Sequence, residues 1–522
     1  MAGRACYDVA VIGYGPTGVT AANLLGAAGL SVLVLERDPR VYARARAIST
    51  DEEVLRIWQQ AGLAERLKQD MLADRPLDFV DERGRPFISF VPASAGHGHP
   101  AQMFLYQPAL EATLRAGVDR YPNVEVLLSH ECLRVRERDD HVELLVAAPD
   151  DTLVRVRATY VIAADGGSSP TRGMLGVGFD GRTYEDRWVV ADTEMRRTWP
   201  GHDRLRFHCD PRRPAVDCPT PLGHHRWEFP VLPGEDAAEL VTDAALSTLL
   251  NRYGITEDDV AILRATVYHH HVRFAARWRI GRVFLAGDAA HAMPPWIGQG
   301  MASGVRDAGN LCWKLAAVIE GRLPETVLDS YEDERKPHVR TTTRRAVYAG
   351  RIITERRPWA AAVRNVTYRA LSRIGPLNRF AQRAAWVPAC RYRDGFLAAQ
   401  RTSAVGRKIP QPWMLDDTGA RQRLDDVLGP DWAVLHSPGA AADQRWTAIG
   451  VRAFAVLPPG SLPCPGTIVD ESGDLTGWLG RHRADRLVVR PDRIGYAATA
   501  TGNALPPPPV DMSSPLAERI AP

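Results

Sequence analysis

The apolar pattern starts at the N-terminus. Residues 9–12 form a short apolar run behind Tyr7-Asp8, as expected of a buried parallel strand. The glycine-rich stretch 13–18 follows, and an Ala- and Leu-rich helix is expected over 19–28, with Gly29 where a left-handed cap would end it. A second strand is expected over 31–35, with Glu36 and Arg37 at its end, which completes a βαβ unit. Over 77–98 apolar and polar residues alternate between Gly and Pro punctuation, the pattern of antiparallel strands. A helix over 108–121 precedes strands near 124–128, 142–147 and 160–164. From 179 to 274 the pattern is β again, broken by a proline-bearing loop at 209–223; a strand at 282–286 then leads to a helix at about 301–320. Residues 325–400 read as helices, and short strands return after 401. The fold class expected is α/β: a Rossmann-like nucleotide domain (1–75, 100–178 and 275–400), a β-rich insertion (76–99 and 179–274) and a C-terminal domain (401–522).

Composition narrows this picture. A chain of 522 residues, 45% hydrophobic and 24% charged, is globular and spans several domains of roughly 150 residues each. A net charge of +3 gives no broad field for nucleic acid or an anionic membrane. Of 65 basic residues only four are lysines, Lys68, Lys314, Lys336 and Lys408, a bias that a GC-rich coding sequence or a preference for planar donors would each produce. Seven scattered cysteines without a Cys-x-x-Cys argue against a disulfide framework, a zinc site and a dithiol centre. No run reaches the ~20 apolar residues of a membrane span. The N-terminal apolar run leads straight into a glycine loop, which is not signal-peptide architecture. A soluble, cytoplasmic protein beginning near Met1 is expected.

Three segments carry chemistry. Gly13-x-Gly15-x-x-Gly18 lies between strand and helix, with Glu36 following 18 residues after the last glycine. The first glycine makes the turn, the second lets backbone approach a pyrophosphate, the third allows helix–strand packing, and the acid accepts from a ribose. The same spacing at 176–181 has no preceding strand and is set aside. Asp165-Gly166, with Arg172 beyond, ends another apolar strand; it suits a pyrophosphate or ribityl chain, and equally a turn capped by serine. In the third segment a strand delivers Gly287-Asp288, and Pro295-Trp296-Ile297-Gly298-Gln299-Gly300-Met301 opens a helix whose N-terminus would face an anionic flavin edge.

Together these segments resemble the class A flavoprotein monooxygenases, the fold family of para-hydroxybenzoate hydroxylase. The resemblance implies non-covalent FAD held by Gly13, Gly15, Pro16, Thr17, Gly18, Glu36, Arg37, Asp165, Gly166, Gly287, Asp288, Pro295, Gly298, Gln299, Gly300 and Met301. It also carries a cofactor role to Arg46, in Arg44-Ala45-Arg46-Ala47-Ile48, and to Gln107, in Tyr106-Gln107-Pro108. The segments Arg277-Trp278-Arg279, Gly304-x-Arg306-Asp307-Ala308-x-Asn310-Leu311 and Arg226-Trp227-Glu228-Phe229 are similar to the 3-(3-hydroxyphenyl)propionate hydroxylase subgroup and its polyketide-tailoring relatives. Leu424-Asp425-Asp426 and Val488-Val489-Arg490-Pro491-Asp492 are similar to the thioredoxin-like C-terminal domain of these enzymes. The β-rich insertion is then the substrate domain.

The activity this resemblance implies is NAD(P)H- and O2-dependent hydroxylation of a phenolic or polyketide ring through a flavin C4a-hydroperoxide. NAD(P)H would dock transiently, because no second strand–glycine loop–helix unit is present. The alternatives are a Baeyer–Villiger oxygenase, an FAD-dependent reductase that does not activate oxygen, and a non-catalytic scaffold. No catalytic acid or base is assigned, since the cofactor carries the hard chemistry. Tyr268 and His271 are substrate-side candidates, with core packing the competing reading. Trp296 either lines the ring pocket or fills the interface between lobes. His269-His270-His271 is not read as a metal site, because neighbours on a strand face opposite ways. The tail should pack or support a homodimer.

Overall fold

The computed structural model describes residues 6–41, 46–376, 388–399, 402–500 and 503–509. Tyr7–Ile12 (β1) pairs in parallel with Val32–Glu36 (β2) on one side and with Leu153–Ala163 on the other. Val124–Leu128 adds in parallel beyond β2, and Val283–Leu285 beyond Leu153–Ala163. The crossover is the helix Pro16–Ala27 (α1), which buries Val19, Ala21, Ala22 and Leu25; Gly29 follows it at φ +79°, the left-handed position expected. Glu131–Glu137 and Val142–Ala147 form an antiparallel meander on the early part of Leu153–Ala163. The first of these strands is not foreshadowed by the apolar pattern, since its Glu- and Arg-rich outer positions mask it.

A second sheet of eight strands is built on the long pair Phe179–Met195 and Val260–Ala275 and takes in the Leu77–Val80 and Pro86–Phe90 hairpin at its far edge. One face (Phe79, Trp188, Phe207) packs on Trp296 and on Ala346, Ala349 and Ile353 of the helix Ser330–Ile353. The other (Val189, Ala191, Trp227, Phe229) is covered by Leu246, Leu249 and Leu250 of Asp243–Asn251. Two expectations are corrected here. The proline-bearing stretch 209–223 is not all loop: Ala215–Pro219 is a central strand, fully buried on both faces and so without alternation to reveal it. The region 179–274 is also not all β. Ala237–Leu240 and Asp243–Asn251 are helices, their first turns capped by the side chains of Asp236 and Thr242.

In the C-terminal domain Ala433–His436 runs parallel to Arg452–Leu457 and antiparallel to Arg486–Val489, which forms a hairpin with Gly495–Thr499. This is the thioredoxin arrangement of strands, extended at one edge by Thr467–Asp470. Its only cysteine among residues 402–500 is Cys464, exposed and unpaired. Trp313, on the helix Gly300–Ile319, meets Trp432 of this domain edge-on at 5.9 Å. No helix among the described residues is long and apolar enough to cross a membrane.

Candidate active site

The carboxyl ends of β1, β2, Leu153–Ala163 and Val283–Leu285 converge, and four loops leave from there, the place where open parallel sheets bind ligands. The glycines of the first loop divide by what a side chain would meet. At Gly13, which has φ +97°, a Cβ would lie 2.5 Å from the Ala164 carbonyl oxygen, and at Gly18 it would strike the Gly13 carbonyl. At Gly15 no atom beyond its chain neighbours lies within 4 Å of that position, and the same holds at Gly166 and Gly167. Two loops thus present bare backbone to open space. Gly15 caps α1 with no side-chain bond, and the first turn beyond Pro16 holds no acid, so its N–H groups suit a diphosphate. At the end of β2 the Glu36 carboxylate accepts from the Tyr14 and Asp38 amides at 2.7 and 2.9 Å, and its remaining lone pairs suit a ribose. Arg37 is exposed beside it.

Asp165 accepts from Ser169 Oγ and the Thr171 amide, and Ser169 caps the helix Pro170–Met174. The capped turn and the open glycines coexist, so the two readings of this motif are not exclusive. Arg172 then donates to the carbonyls of Gly167 and Ala289 at 2.9 and 3.0 Å, tying this loop to the Gly287-Asp288 loop. Gly287, at φ +59°, sits against Thr17 and donates its amide to Asp307 at 3.0 Å. Asp307 is buried; burial pushes its carboxyl up, but His291 and Arg335 hold it below the usual range. Asp288 is half-exposed, 3.9 Å from the Arg46 guanidinium.

Arg46 is positioned from behind. Gln107 Oε1 accepts the amides of Arg46 and Ala47 at 2.7 and 2.8 Å, and Gln107 Nε2 donates to Glu111, so this glutamine orders the loop. Arg44 and Ala45 lie outside the described residues. Gln299 is buried too: its Nε2 donates to Asp51 at 3.0 Å and its Oε1 accepts from Arg306 at 3.0 Å. Gly298 is left-handed at φ +64°, and Gly300 and Met301 begin the helix with no side-chain cap and no acid in its first turn. Pro295 and Trp296 lie in the short 3-10 turn before it. The loops to which resemblance assigns FAD therefore gather at one end of the sheet, and bare backbone, uncapped helix starts and a ribose acceptor would suit that cofactor.

Beside these loops stands the face of the second sheet that carries Trp188, Glu228 and Tyr268. Tyr268 donates to Glu228 at 2.9 Å. Burial raises the Glu228 carboxyl against the pull of Arg226, and burial with the Glu228 charge raises the Tyr268 phenol well above its usual value. Arg226 pairs with Asp192 at 2.7 Å and donates to the Arg46 carbonyl at 2.9 Å, joining sheet and cofactor loop. The three histidines alternate as exposed, buried and exposed. His270 stacks on Trp188 at 5.9 Å and meets Trp296 edge-on at 4.9 Å, and burial pushes it down to about 4. His271 meets Thr183 at 3.0 Å, and burial with the neighbouring His269 and Arg273 pushes it down. Trp296 is buried between this sheet and Gly350 of the Ser330–Ile353 helix. Among the described residues no group of His, Cys, Asp or Glu is arranged to hold a metal. Sequence reasoning had no assignment for Asp51 and Glu53. The available signal was the four-residue spacing of Arg306, Asn310 and Lys314 on one buried helix face.

The fold and these loops are those of an FAD-binding enzyme. Residues 6–346 match the FAD binding domain family and 406–508 the HcaD C-terminal domain, and the chain belongs to that FAD binding domain family. It is 37% identical over 510 residues, 94% of each chain, to the 3-(3-hydroxy-phenyl)propionate/3-hydroxycinnamic acid hydroxylase of Burkholderia cenocepacia (strain HI2424). The anhydrotetracycline hydroxylase from Streptomyces rimosus superposes with a TM-score of 0.76 at 25% identity, covering 95% of this chain and 96% of its own. A flavin-dependent monooxygenase solved with FAD and substrate shares the fold, with a TM-score of 0.79 at 23% identity, covering 94% and 95%. The chain is an FAD-dependent aromatic hydroxylase, the class expected from its motifs.

Proposed function

We propose that this enzyme uses NAD(P)H and O2 to hydroxylate a phenolic ring of the hydroxyphenylpropionate or hydroxycinnamate type, and that the ring lies between the cofactor cleft and the Tyr268 face. The near full-length likeness to a hydroxylase of that class supports the substrate; the Tyr268–Glu228 pair carries the chemistry. Bound FAD supplies the reducing equivalents and the activated oxygen.

The protein's task is to make the ring electron-rich and keep water out. A substrate hydroxyl placed against Tyr268 Oη gives that oxygen its proton while the Tyr268 proton passes to Glu228, leaving a phenolate and a neutral Glu228. Burial raises the Glu228 carboxyl, which favours its holding the proton it receives. Trp188, His270 and Trp296 wall this face and exclude water. On the cofactor side, Gly15, Gly166 and the start of α1 bind the diphosphate, Glu36 the ribose and Asp288 the ribityl hydroxyls, while the turn Gly298–Gly300 presents the helix N-terminus to the flavin edge. The nicotinamide docks transiently near Asp165-Gly166. The unit that takes up the ring is the β-rich insertion 76–99 and 179–274, and a homodimer is the assembly we propose, with light scattering as its check.

The test is NAD(P)H oxidation and product analysis with a panel of phenolic acids and polycyclic phenols. Stimulated oxidation with a ring-hydroxylated product supports the proposal, and Tyr268→Phe should then lose most hydroxylation while retaining FAD. A ring-expanded lactone, or oxidation without oxygen transfer for every compound, overturns it.

A further inference from the structure

Lys408 belongs to the C-terminal domain, yet its ammonium is buried against the helix Glu52–Gln60 of the FAD domain, 3.0 Å from Glu53 Oε1. The other oxygen of Glu53 accepts from Arg306 Nε at 2.7 Å. The two terminal nitrogens of Arg306 reach Asp51 Oδ2 at 2.6 Å and Gln299 Oε1 at 3.0 Å, and Gln299 Nε2 closes the loop on Asp51 at 3.0 Å. All five side chains are at least nine-tenths buried. An unbroken chain of charge-assisted hydrogen bonds therefore runs from the C-terminal domain to the turn that opens the helix Gly300–Ile319.

Its charge balance singles out the lysine. Asp51 and Glu53 bring two negative charges and Arg306 one positive, so without Lys408 this buried cluster would carry a net negative charge. Removing one partner of a buried ionic group leaves a desolvated charge that must find relief elsewhere. Without Lys408, Glu53 would compete more strongly for Arg306, whose two terminal nitrogens hold Asp51 and Gln299. Glu53 reflects the present balance: burial pushes its carboxyl up, but Lys408 and Arg306 hold it well below the ordinary range.

We infer that Lys408 is a positioning residue for the flavin-facing turn, holding Gln299 and the N-terminus of the Gly300–Ile319 helix in place through Glu53 and Arg306. The inference rests on the reading that this turn faces the flavin. It gives the C-terminal domain, whose fold lacks paired thiols, a part in tuning the cofactor site rather than a redox part of its own.

The experiment compares full-length holoenzymes carrying Lys408→Met, Lys408→Arg, Gln299→Met and, as a control for tail docking alone, Arg423→Met, which removes a contact to Glu65. FAD dissociation constant, visible circular dichroism of the bound flavin and its midpoint potential are read in each. Lys408→Met should weaken FAD about tenfold, the usual order for coupled sites and equivalent to about 1.4 kcal/mol, and shift the flavin spectrum and potential. Lys408→Arg should restore both, and Arg423→Met should leave both at wild-type values. Unchanged flavin properties in Lys408→Met, with Gln299→Met altered, overturn the inference alone; unchanged properties in both overturn the reading of the turn as well. Should Lys408→Met fail to fold, Lys408→Gln, which keeps a donor to Glu53 but removes the charge, is read in its place, and wild-type flavin properties in that variant are equally fatal.

Discussion

Replacing Gly15 by valine separates the protein's need for this glycine from the cofactor's. The backbone there has φ −74° and ψ −174°, an extended conformation that suits valine, and no atom beyond the chain neighbours lies within 4 Å of the new Cβ. The apoprotein should therefore fold normally, and the lost freedom of the unfolded chain favours the variant by about 0.4–1 kcal/mol. The side chain would instead occupy the space where backbone meets the diphosphate. Losing two charge-assisted hydrogen bonds at about 1.5–3 kcal/mol each weakens FAD by roughly 3–6 kcal/mol, about two to four orders of magnitude. Gly13→Ala is the contrast: φ +97° and the Ala164 carbonyl 2.5 Å from the Cβ make it destabilise the apoprotein itself. The assay pairs thermal melts of the two apoproteins with FAD titration followed by flavin fluorescence. Normal FAD affinity in Gly15→Val, or an apoprotein melting well below wild type, would refute this reasoning.

Acidification should lower the melting temperature steadily from neutrality. Burial and neighbouring cations push His97 and His338 down to about 3, so the folded state binds fewer protons than the unfolded one and stability is lost as pH falls from 6.5 toward 3. Asp425 works the same way lower down: burial raises it, but Arg56 and Arg493 hold it to about 2, so its contribution fades below 3.8. A melting temperature that rises between pH 7 and 5 contradicts this. Cys464→Ser should leave turnover unchanged, because this exposed thiol has no second cysteine in its domain; a large loss in NAD(P)H oxidation would reveal a redox role. Unfolding the holoenzyme in guanidinium should release all its yellow colour into the filtrate, and flavin left on the chain would disprove non-covalent binding.

Local sterics and periodicity made the FAD lobe legible in the sequence. A turn that only glycine can make, an acid after an apolar strand and a helix of small residues are properties of a few consecutive positions, and Gly13 to Glu36 folds as those properties require. The Gly287-Asp288 and Gly298–Gly300 segments were readable for the same reason. Where burial removes the alternation, as at Ala215–Pro219, or charges mask it, as at Glu131–Glu137, the one-dimensional pattern carries too little to name the element. Partner choice lies further out of reach. That Gln107 orders the Arg46 loop, that Glu228 meets Tyr268, and that Lys408 neutralises Glu53 across 355 positions depend on which faces the fold brings together. The sequence by itself determined the backbone of the glycine loops and the helix starts beside them, because glycine conformations and helix starts are local. Only the tertiary structure decided which charges share a buried space, because desolvation and pairing arise when distant segments close on one another.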